Sequence, residues 1–314
     1  MRVLIVTNLY PTEEQPRLGR FVRDQVEALR AGGTEVELFT FPLGAREYLP
    51  ASRRLRRFLR DASFDVVHAH YGLCGWVASL AGASPLVVTF HGTDIRHRVV
   101  GPSSRMLARR IDLVAGASRS AFEREGGRRG LPESRQPVAV LPCGIDMNRF
   151  RPLPRAEARK ELGLAPDGRY LLFPANPDRP VKRHDRALQV AELGGAELLV
   201  TREVAPEEMP LWVNASSGVL VTSDSEGFGL AILEALACGV PVASTPVGVA
   251  PFVAAGLSEC LVEPFEPHRW ATWARRHLGA DDPRVDARGR AEIFSAELMA
   301  ERVRVAYEEV AGPA

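Results

Sequence analysis

The sequence predicts an α/β chain built as two doubly wound, parallel-sheet domains. Short β-branched runs alternate with amphipathic helical stretches along its whole length, the pattern of parallel strands covered by helices on both faces. A turn-rich segment, Pro142 to Pro154 (PCGIDMNRFRPLP), splits that alternation into two series. The chain has 314 residues, 46% hydrophobic and 25% charged, enough for two globular cores.

Val3 to Val6 reads as a buried strand. It follows the N-terminus directly, without the apolar length of a signal peptide. A polar, proline-marked loop from Asn8 to Leu18 leads to Gly19, which opens a helix with Val22, Val26 and Leu29 on one face. Strands are expected at Val36 to Phe41, Val66 to His70, Leu86 to Phe90, Leu113 to Ala115 and Val138 to Leu141, completing the first domain. Ligands of such sheets sit beyond the carboxyl ends of the strands. The second series opens with a helix at Ala156 to Leu162. Strands are expected at Tyr170 to Phe173, Glu197 to Val200, Val219 to Val221, Val240 to Ala243 and Cys260 to Val262. An amphipathic helix, Ala296 to Val310, ends the chain. The expected domains are residues 1–150, 151–295 and a terminal helix segment, 296–314.

A net charge of +1 gives no reason to expect a nucleic-acid partner. Cys74, Cys143, Cys238 and Cys260 lack paired short spacings, so neither a zinc site nor a disulfide framework is expected, and a reducing cytoplasm is the default. The apolar region from Gly229 to Leu257 contains Glu234, Pro241, Pro246 and Pro251, which argues against a membrane-spanning helix.

The most informative stretch is Ser225 to Val242, SEGFGLAILEALACGVPV. From Leu230 to Cys238 it reads as a helix that is apolar all round, hence internal, with Glu234 in its middle. A buried carboxylate requires donors or a cation, and no Lys or Arg lies within one turn. Before the helix stand Glu226 and Gly227-Phe228-Gly229. Glycines at a helix start let backbone N–H groups approach an anion, with the positive end of the helix dipole behind them. A phosphate cradle flanked by carboxylates suits a nucleotide sugar, with Glu234 on the ribose hydroxyls and Glu226 on the sugar. The same residues also read as a tight strand-to-helix turn before a core helix, with Glu234 satisfied by backbone or water.

Glu226, Gly227-Phe228-Gly229, Glu234 and the run Ala237-Cys238-Gly239-Val240-Pro241-Val242 together resemble the donor-binding signature of the family 4 retaining glycosyltransferases, whose fold is GT-B: two Rossmann-like domains facing a central cleft. Gly144-Ile145-Asp146 and Phe150 resemble that family's hinge, which places the domain boundary near Arg151. In that fold a terminal helix crosses back onto the first domain, and the same is expected here.

The resemblance extends to lesser motifs. His91-Gly92-Thr93-Asp94, after the strand LVVTF, resembles the HGxD run whose histidine lies near the transferred sugar; Asp94 also reads as an N-cap. Gly19 matches a glycine under the donor diphosphate. In FPANPDRPVKRHDRA, Lys182 matches the family lysine that neutralises the leaving group. The expected arginine is absent, with Asn176 and Pro177 in its place, and Arg179 is the candidate substitute. After Glu197 to Val200, a glycine-rich turn, helix and strand common among relatives are missing. Base recognition then falls to a shortened loop, Thr201 to Val204, and UDP is not separated from GDP.

The resemblance implies a front-face mechanism with retention, in which the departing phosphate accepts the acceptor's proton. His91, Lys182 and Glu226 are the expected catalytic residues. Gly19, Arg179, Lys182, Gly227, Phe228, Gly229, Leu230 and Glu234 are the expected donor contacts. No DxD-like pair stands where a metal would bridge a diphosphate, so no metal or other cofactor is expected. The acceptor is open: a glycan, a small molecule or a lipid-linked sugar. Arg53, Arg54, Arg56, Arg57 and Arg60 share a helix with the apolar stripe Leu55, Phe58 and Leu59. This reads either as a solvated basic face or as peripheral contact with the inner face of a membrane. Two alternatives are a catalytically inactive GT-B module that binds nucleotide sugar or serves a partner, and a sugar epimerase or phosphorylase. A dinucleotide-dependent dehydrogenase would need a G-x-G-x-x-G after the first strand, which is absent.

Overall fold

The apolar runs become strands, and every strand pair is parallel. The computed structural model describes residues 1–123, 130–131, 136–202 and 204–312. The chain forms two units, Met1–Gly144 with Ala296–Ala314, and Ile145–Ser295.

In the first unit the strands are β1 (Arg2–Thr7), β2 (Glu35–Thr40), β3 (Val66–His70), β4 (Leu86–Phe90), β5 (Leu113–Gly116) and β6 (Val138–Val140), in the order β2-β1-β3-β4-β5-β6. Between them lie α1 (Arg20–Ala31), α2 (Tyr48–Asp61), α3 (Gly72–Ala81), α4 (Thr93–Arg96) and α5 (Val100–Leu107). Every residue of β3 and β4 is buried, because helices cover both faces. Alternate side chains take opposite faces. Leu4, Val6, Val67 and Val88 pack with Leu55 of α2 and Val77 of α3. Val3, Ile5, Val66 and Val87 pack with Val22 and Val26 of α1 and with Met299, Val303 and Tyr307 of the terminal helix, which belongs to this unit. At the sheet edge, β6 leaves Val138 and Val140 exposed.

The second unit contains α6 (Arg155–Glu161), β7 (Tyr170–Phe173), α7 (His184–Gly194), β8 (Glu197–Val200), α8 (Met209–Ala215), β9 (Val219–Val221), α9 (Leu230–Ala237), β10 (Val242–Ser244), α10 (Ala250–Val253), β11 (Leu261–Val262), α11 (Pro267–Leu278) and α12 (Arg288–Glu292); α13 (Ala296–Ala311) returns to the first unit. Its sheet order is β11-β10-β9-β7-β8.

Two local expectations are corrected. Val240 lies outside β10 because its N–H closes the end of α9 on the Ala235 carbonyl (2.8 Å), after Gly239 at φ +69°. Ile145 to Phe150 group with the second unit: Ile145 bridges Ser295, and Arg288 donates to the carbonyls of Met147 (2.5 Å) and Phe150 (2.7 Å). The apolar stripe of α2 is used by the core, with Leu55 fully buried and Phe58 and Leu59 packed against the same cluster. That helix turns its arginine face outward, with Arg53, Arg54, Arg56, Arg57 and Arg60 exposed, along with Leu49 near its start. Among the described residues no helix is long and apolar enough to cross a membrane.

Candidate active-site residues

In a doubly wound sheet the connections diverge in opposite directions at one point, and the loops there leave an opening at the strands' carboxyl ends. In the second unit that point lies between β7 and β9. β7 leads into Asn176 to Arg183, and β9 into Thr222 to Gly229. The two loops are laced together. The Asp224 N–H donates to the Val181 carbonyl (2.9 Å), and Thr222 Oγ1 donates to the carbonyls of Lys182 (3.0 Å) and Arg183 (2.9 Å). This lacing seats Lys182 Nζ 2.6 and 2.7 Å from the two carboxylate oxygens of Glu226. Ser223 Oγ donates to the same carboxylate at 2.6 Å. Side-chain exposures of 16% and 11% shield the pair from most of the solvent, so its attraction is little screened.

The glycine turn follows. Gly229 sits at φ +95° as the N-cap of α9, and with no side chain of its own it brings no carboxylate or hydroxyl to the positive end of the helix. Phe228 anchors the turn: its ring is buried, edge-on to Phe294 at 5.6 Å, which leaves only its backbone for a ligand. The Val249 N–H donates to the Phe228 carbonyl (2.8 Å). Beside it Gly248, at φ +55°, could not carry a Cβ, which would lie 2.2 Å from the Phe228 oxygen. Sequence reasoning missed Ser223 and Gly248. The signal for Gly248 was a glycine in the loop TPVGV directly after a strand.

Glu234 corrects the reading of α9. The helix buries Ile232, Leu233, Ala235, Leu236 and Ala237, while Leu230, Ala231 and Glu234 share a partly open face. Glu234 also interacts within the protein already, so a ligand is not required to explain it. Its charge lies near Cys238, whose thiol burial, then Glu234, push up to about 12.

Arg179 is exposed. At the place of the absent arginine, Asn176 Oδ1 accepts the Asp178 N–H (2.9 Å), a local turn. The neighbouring arginines are paired, Arg183 with Asp185 (2.7 Å) and Arg186 with Asp224 (2.9 Å). In the shortened loop Thr201 and Val204 are buried, and Glu203 lies outside the described residues.

In the first unit Gly19 is buried at φ +62°, and a Cβ there would lie 2.0 Å from the Leu9 carbonyl oxygen. The chain's own turn therefore demands glycine, whatever binds beside it. His91 follows β4, with Phe21 and Tyr71 against its ring at centroid distances of 4.6 and 4.7 Å. Its Nε2 is 3.1 Å from Nδ1 of His70. Burial, then the neighbouring His70, hold His91 well below the ordinary histidine range. Asp94 is not the N-cap of its own turn, a position held by Gly92 ahead of α4. Its two oxygens accept the N–H groups of His91 and Gly72, both at 3.0 Å, tying the loop after β4 to the start of α3. Burial pushes Asp94 up to about 6 against the pull of those N–H groups. Among the described residues no group of three or more His, Cys, Asp and Glu is placed to hold a metal ion.

Comparison with known proteins identifies the family. Residues 20–149 match the model of Glycosyltransferase Family 4, and residues 170–279 match that of Glycosyl transferases group 1. The chain is 30% identical to a D-inositol 3-phosphate glycosyltransferase of Thermobispora bispora, over 75% of this chain and 67% of the relative. Among solved structures it resembles a sucrose-phosphate synthase from Thermosynechococcus elongatus, with a TM-score of 0.73, 19% identity and 98% of each chain covered. It also resembles HepE of Anabaena in complex with UDP and glucose, with a TM-score of 0.71, 18% identity, and 98% of this chain and 100% of that one covered. With the signature from Glu226 to Val242 and two parallel, doubly wound sheets of the GT-B kind, the chain belongs to glycosyltransferase family 4.

Proposed function

We propose that this glycosyltransferase takes a sugar from a nucleotide-sugar donor and joins it to an acceptor hydroxyl with retention, without a metal ion. The observation that carries the proposal is the Lys182–Glu226 pair at the β7/β9 switch point, followed in sequence by the glycine-capped start of α9. A diphosphate leaving group gains charge as the sugar–phosphate bond breaks. An ammonium and a helix N-terminus are preorganised to hold that charge, and one such donor is typically worth about 10²–10³ in rate.

In the proposed step the bond from the anomeric carbon to the phosphate oxygen breaks, and the acceptor oxygen bonds to that carbon on the same face. The acceptor's proton passes to the departing phosphate. In the second unit Glu226 is assigned to the sugar, Glu234 to the ribose, and the backbones of Gly227, Phe228, Gly229 and Leu230 to the diphosphate; in the first unit His91 is assigned a sugar contact and Gly19 a diphosphate contact. Arg179 is the supplementary cation.

The names of relatives supply the first candidates for substrates: D-inositol 3-phosphate as acceptor and UDP as the donor's nucleotide. A lipid-linked acceptor also fits the proposal. Membrane contact would then rest mainly on the exposed arginines of α2 and should weaken with salt in vesicle sedimentation. Free thiols at Cys74, Cys143, Cys238 and Cys260 suit a reducing cytoplasm.

A thermal-shift screen of UDP, GDP, ADP and their sugars, followed by turnover with and without EDTA, tests the reading. A ligand at a hundred times its dissociation constant adds about 2.7 kcal/mol of stability. Binding without release of free nucleotide across all acceptors would instead mark an inactive module. Turnover abolished by EDTA would remove the metal-free mechanism.

A further inference from the structure

We propose that His70, buried on β3, is a positioning residue that fixes the tautomer of His91, so that His91 presents Nδ1–H as a hydrogen-bond donor and does not act as a base. The functional use of this geometry rests on the placement of His91 beside the sugar proposed above; the geometry itself does not.

Side chains alternate along a strand, so His68 and His70 of β3 share the face covered by α1 and α13. His91 follows the neighbouring strand, and its ring lies nearly parallel to that of His70, 24° apart in plane at a centroid distance of 5.3 Å. The 3.1 Å contact joins Nδ1 of His70 to Nε2 of His91. Both rings are neutral, since burial pushes His70 down to about 3 and also lowers His91. A contact between two imidazole nitrogens then holds a single hydrogen, on one side or the other.

The buried end of His70 decides which side. Its Nε2 is sealed from solvent and has no hydrogen-bond partner among the described residues. Were His91 the donor, the hydrogen of His70 would have to sit on that Nε2, leaving a buried N–H unpaired. With His70 Nδ1–H as donor, Nε2 keeps only a lone pair. Orphaned buried N–H groups are rarer than under-satisfied acceptors. His91 therefore accepts at Nε2, and its own hydrogen resides on Nδ1.

The surroundings hold this arrangement in place. Phe21 and Tyr71 flank the His91 ring, and Asp94 grips the His91 amide. Behind His70 stands His68, at a centroid distance of 4.5 Å. Both His68 nitrogens are engaged at 2.7 Å, one by Tyr307 of α13 and the other by Thr89 of β4. A neutral ring with a hydrogen at Nδ1 suits a hydroxyl or ring oxygen of a sugar. It does not suit removal of an acceptor's proton.

The direct test is nitrogen-15 NMR of the full chain with labelled histidine near neutral pH. Both His70 and His91 should show the Nδ1–H pattern. An Nε2–H or imidazolium signal at His91 would overturn the proposal. In kinetics, His70→Asn keeps an amide N–H near the Nδ1 position and should retain kcat within about threefold, whereas His70→Leu should lower it by about tenfold or more. If His70→Leu lowers Tm but leaves kcat and the His91 signal unchanged, His70 is structural only and the proposal fails. If the parent protein neither binds nor turns over any nucleotide sugar, the functional reading falls while the NMR result still decides the tautomer.

Discussion

Lys182 and Glu226, residues 44 apart in sequence, form a two-pronged ion pair with Nζ 2.6 and 2.7 Å from the carboxylate oxygens. Each neutralises the other before any ligand arrives. A diphosphate must compete with Glu226 for the ammonium, and a sugar hydroxyl must compete with Lys182 for the carboxylate.

Lys182→Met should therefore remove leaving-group stabilisation and lower kcat by about 10²–10³. It should also leave Glu226 without its cation in a mostly buried place, costing about 1–3 kcal/mol of stability. Steady-state turnover and Tm check both.

Glu226→Gln keeps the shape and still offers an oxygen to Ser223, while freeing the Lys182 charge. Nucleotide diphosphate should bind as well as in the parent or more tightly, and sugar transfer should drop. Calorimetric titration beside a transfer assay separates the two effects. Weaker nucleotide binding in this variant would contradict the assigned roles.

Glu234 lies on the partly open face of α9, so Glu234→Ala should change stability by less than about 1 kcal/mol. Under the proposed ribose role, the same variant should lose the stabilisation that the best nucleotide confers. A full nucleotide-induced shift in Glu234→Ala would remove Glu234 from the site.

Gly19→Ala and Gly248→Ala should be among the most damaging small substitutions. Each adds a Cβ at positive φ and within about 2.2 Å of a carbonyl oxygen, 2.0 Å at Gly19 and 2.2 Å at Gly248. Chemical denaturation should show losses of more than about 2 kcal/mol for both.

Stability should fall as the pH drops below about 6.5, the unfolded histidine value. His68, His70 and His91 all have folded pKa values lowered first by burial, so the unfolded chain takes up protons that the folded chain refuses. Each such site contributes a slope of about 1.4 kcal/mol per pH unit, present until the folded value is reached, about 3 for His70. Asp94 opposes this. Its folded value is raised to about 6, so between about 4 and 6 the folded chain binds the extra proton. The net effect is a loss of stability towards acid, weakened by roughly one site in that window. Urea titrations from pH 7 to 4 measure it, and a flat profile would show that the histidines titrate freely.

The strands were legible because buried parallel strands are short apolar runs that need no distant partner to be recognised. Tyr170–Phe173, Glu197–Val200 and Val219–Val221 fall where the pattern put them. The motif that resembles a donor signature was legible for a similar reason: its glycine turn and its acid groups lie within one contiguous stretch, Glu226 to Glu234. A helical pattern reports which residues are apolar, not which face a neighbouring layer leaves open. Glu234 was therefore read as sunk when it is half-open, and the α2 stripe left two readings open, a solvated basic face or a membrane-facing helix, because nothing local says that the core takes Leu55, Phe58 and Leu59. Strand order decided the rest. Only the placement of β9 beside β7 brings Lys182 to Glu226, and only β3 beside β4 brings His70 to His91. Those pairings depend on contacts between segments far apart in the chain, and a linear sequence carries no local mark of them.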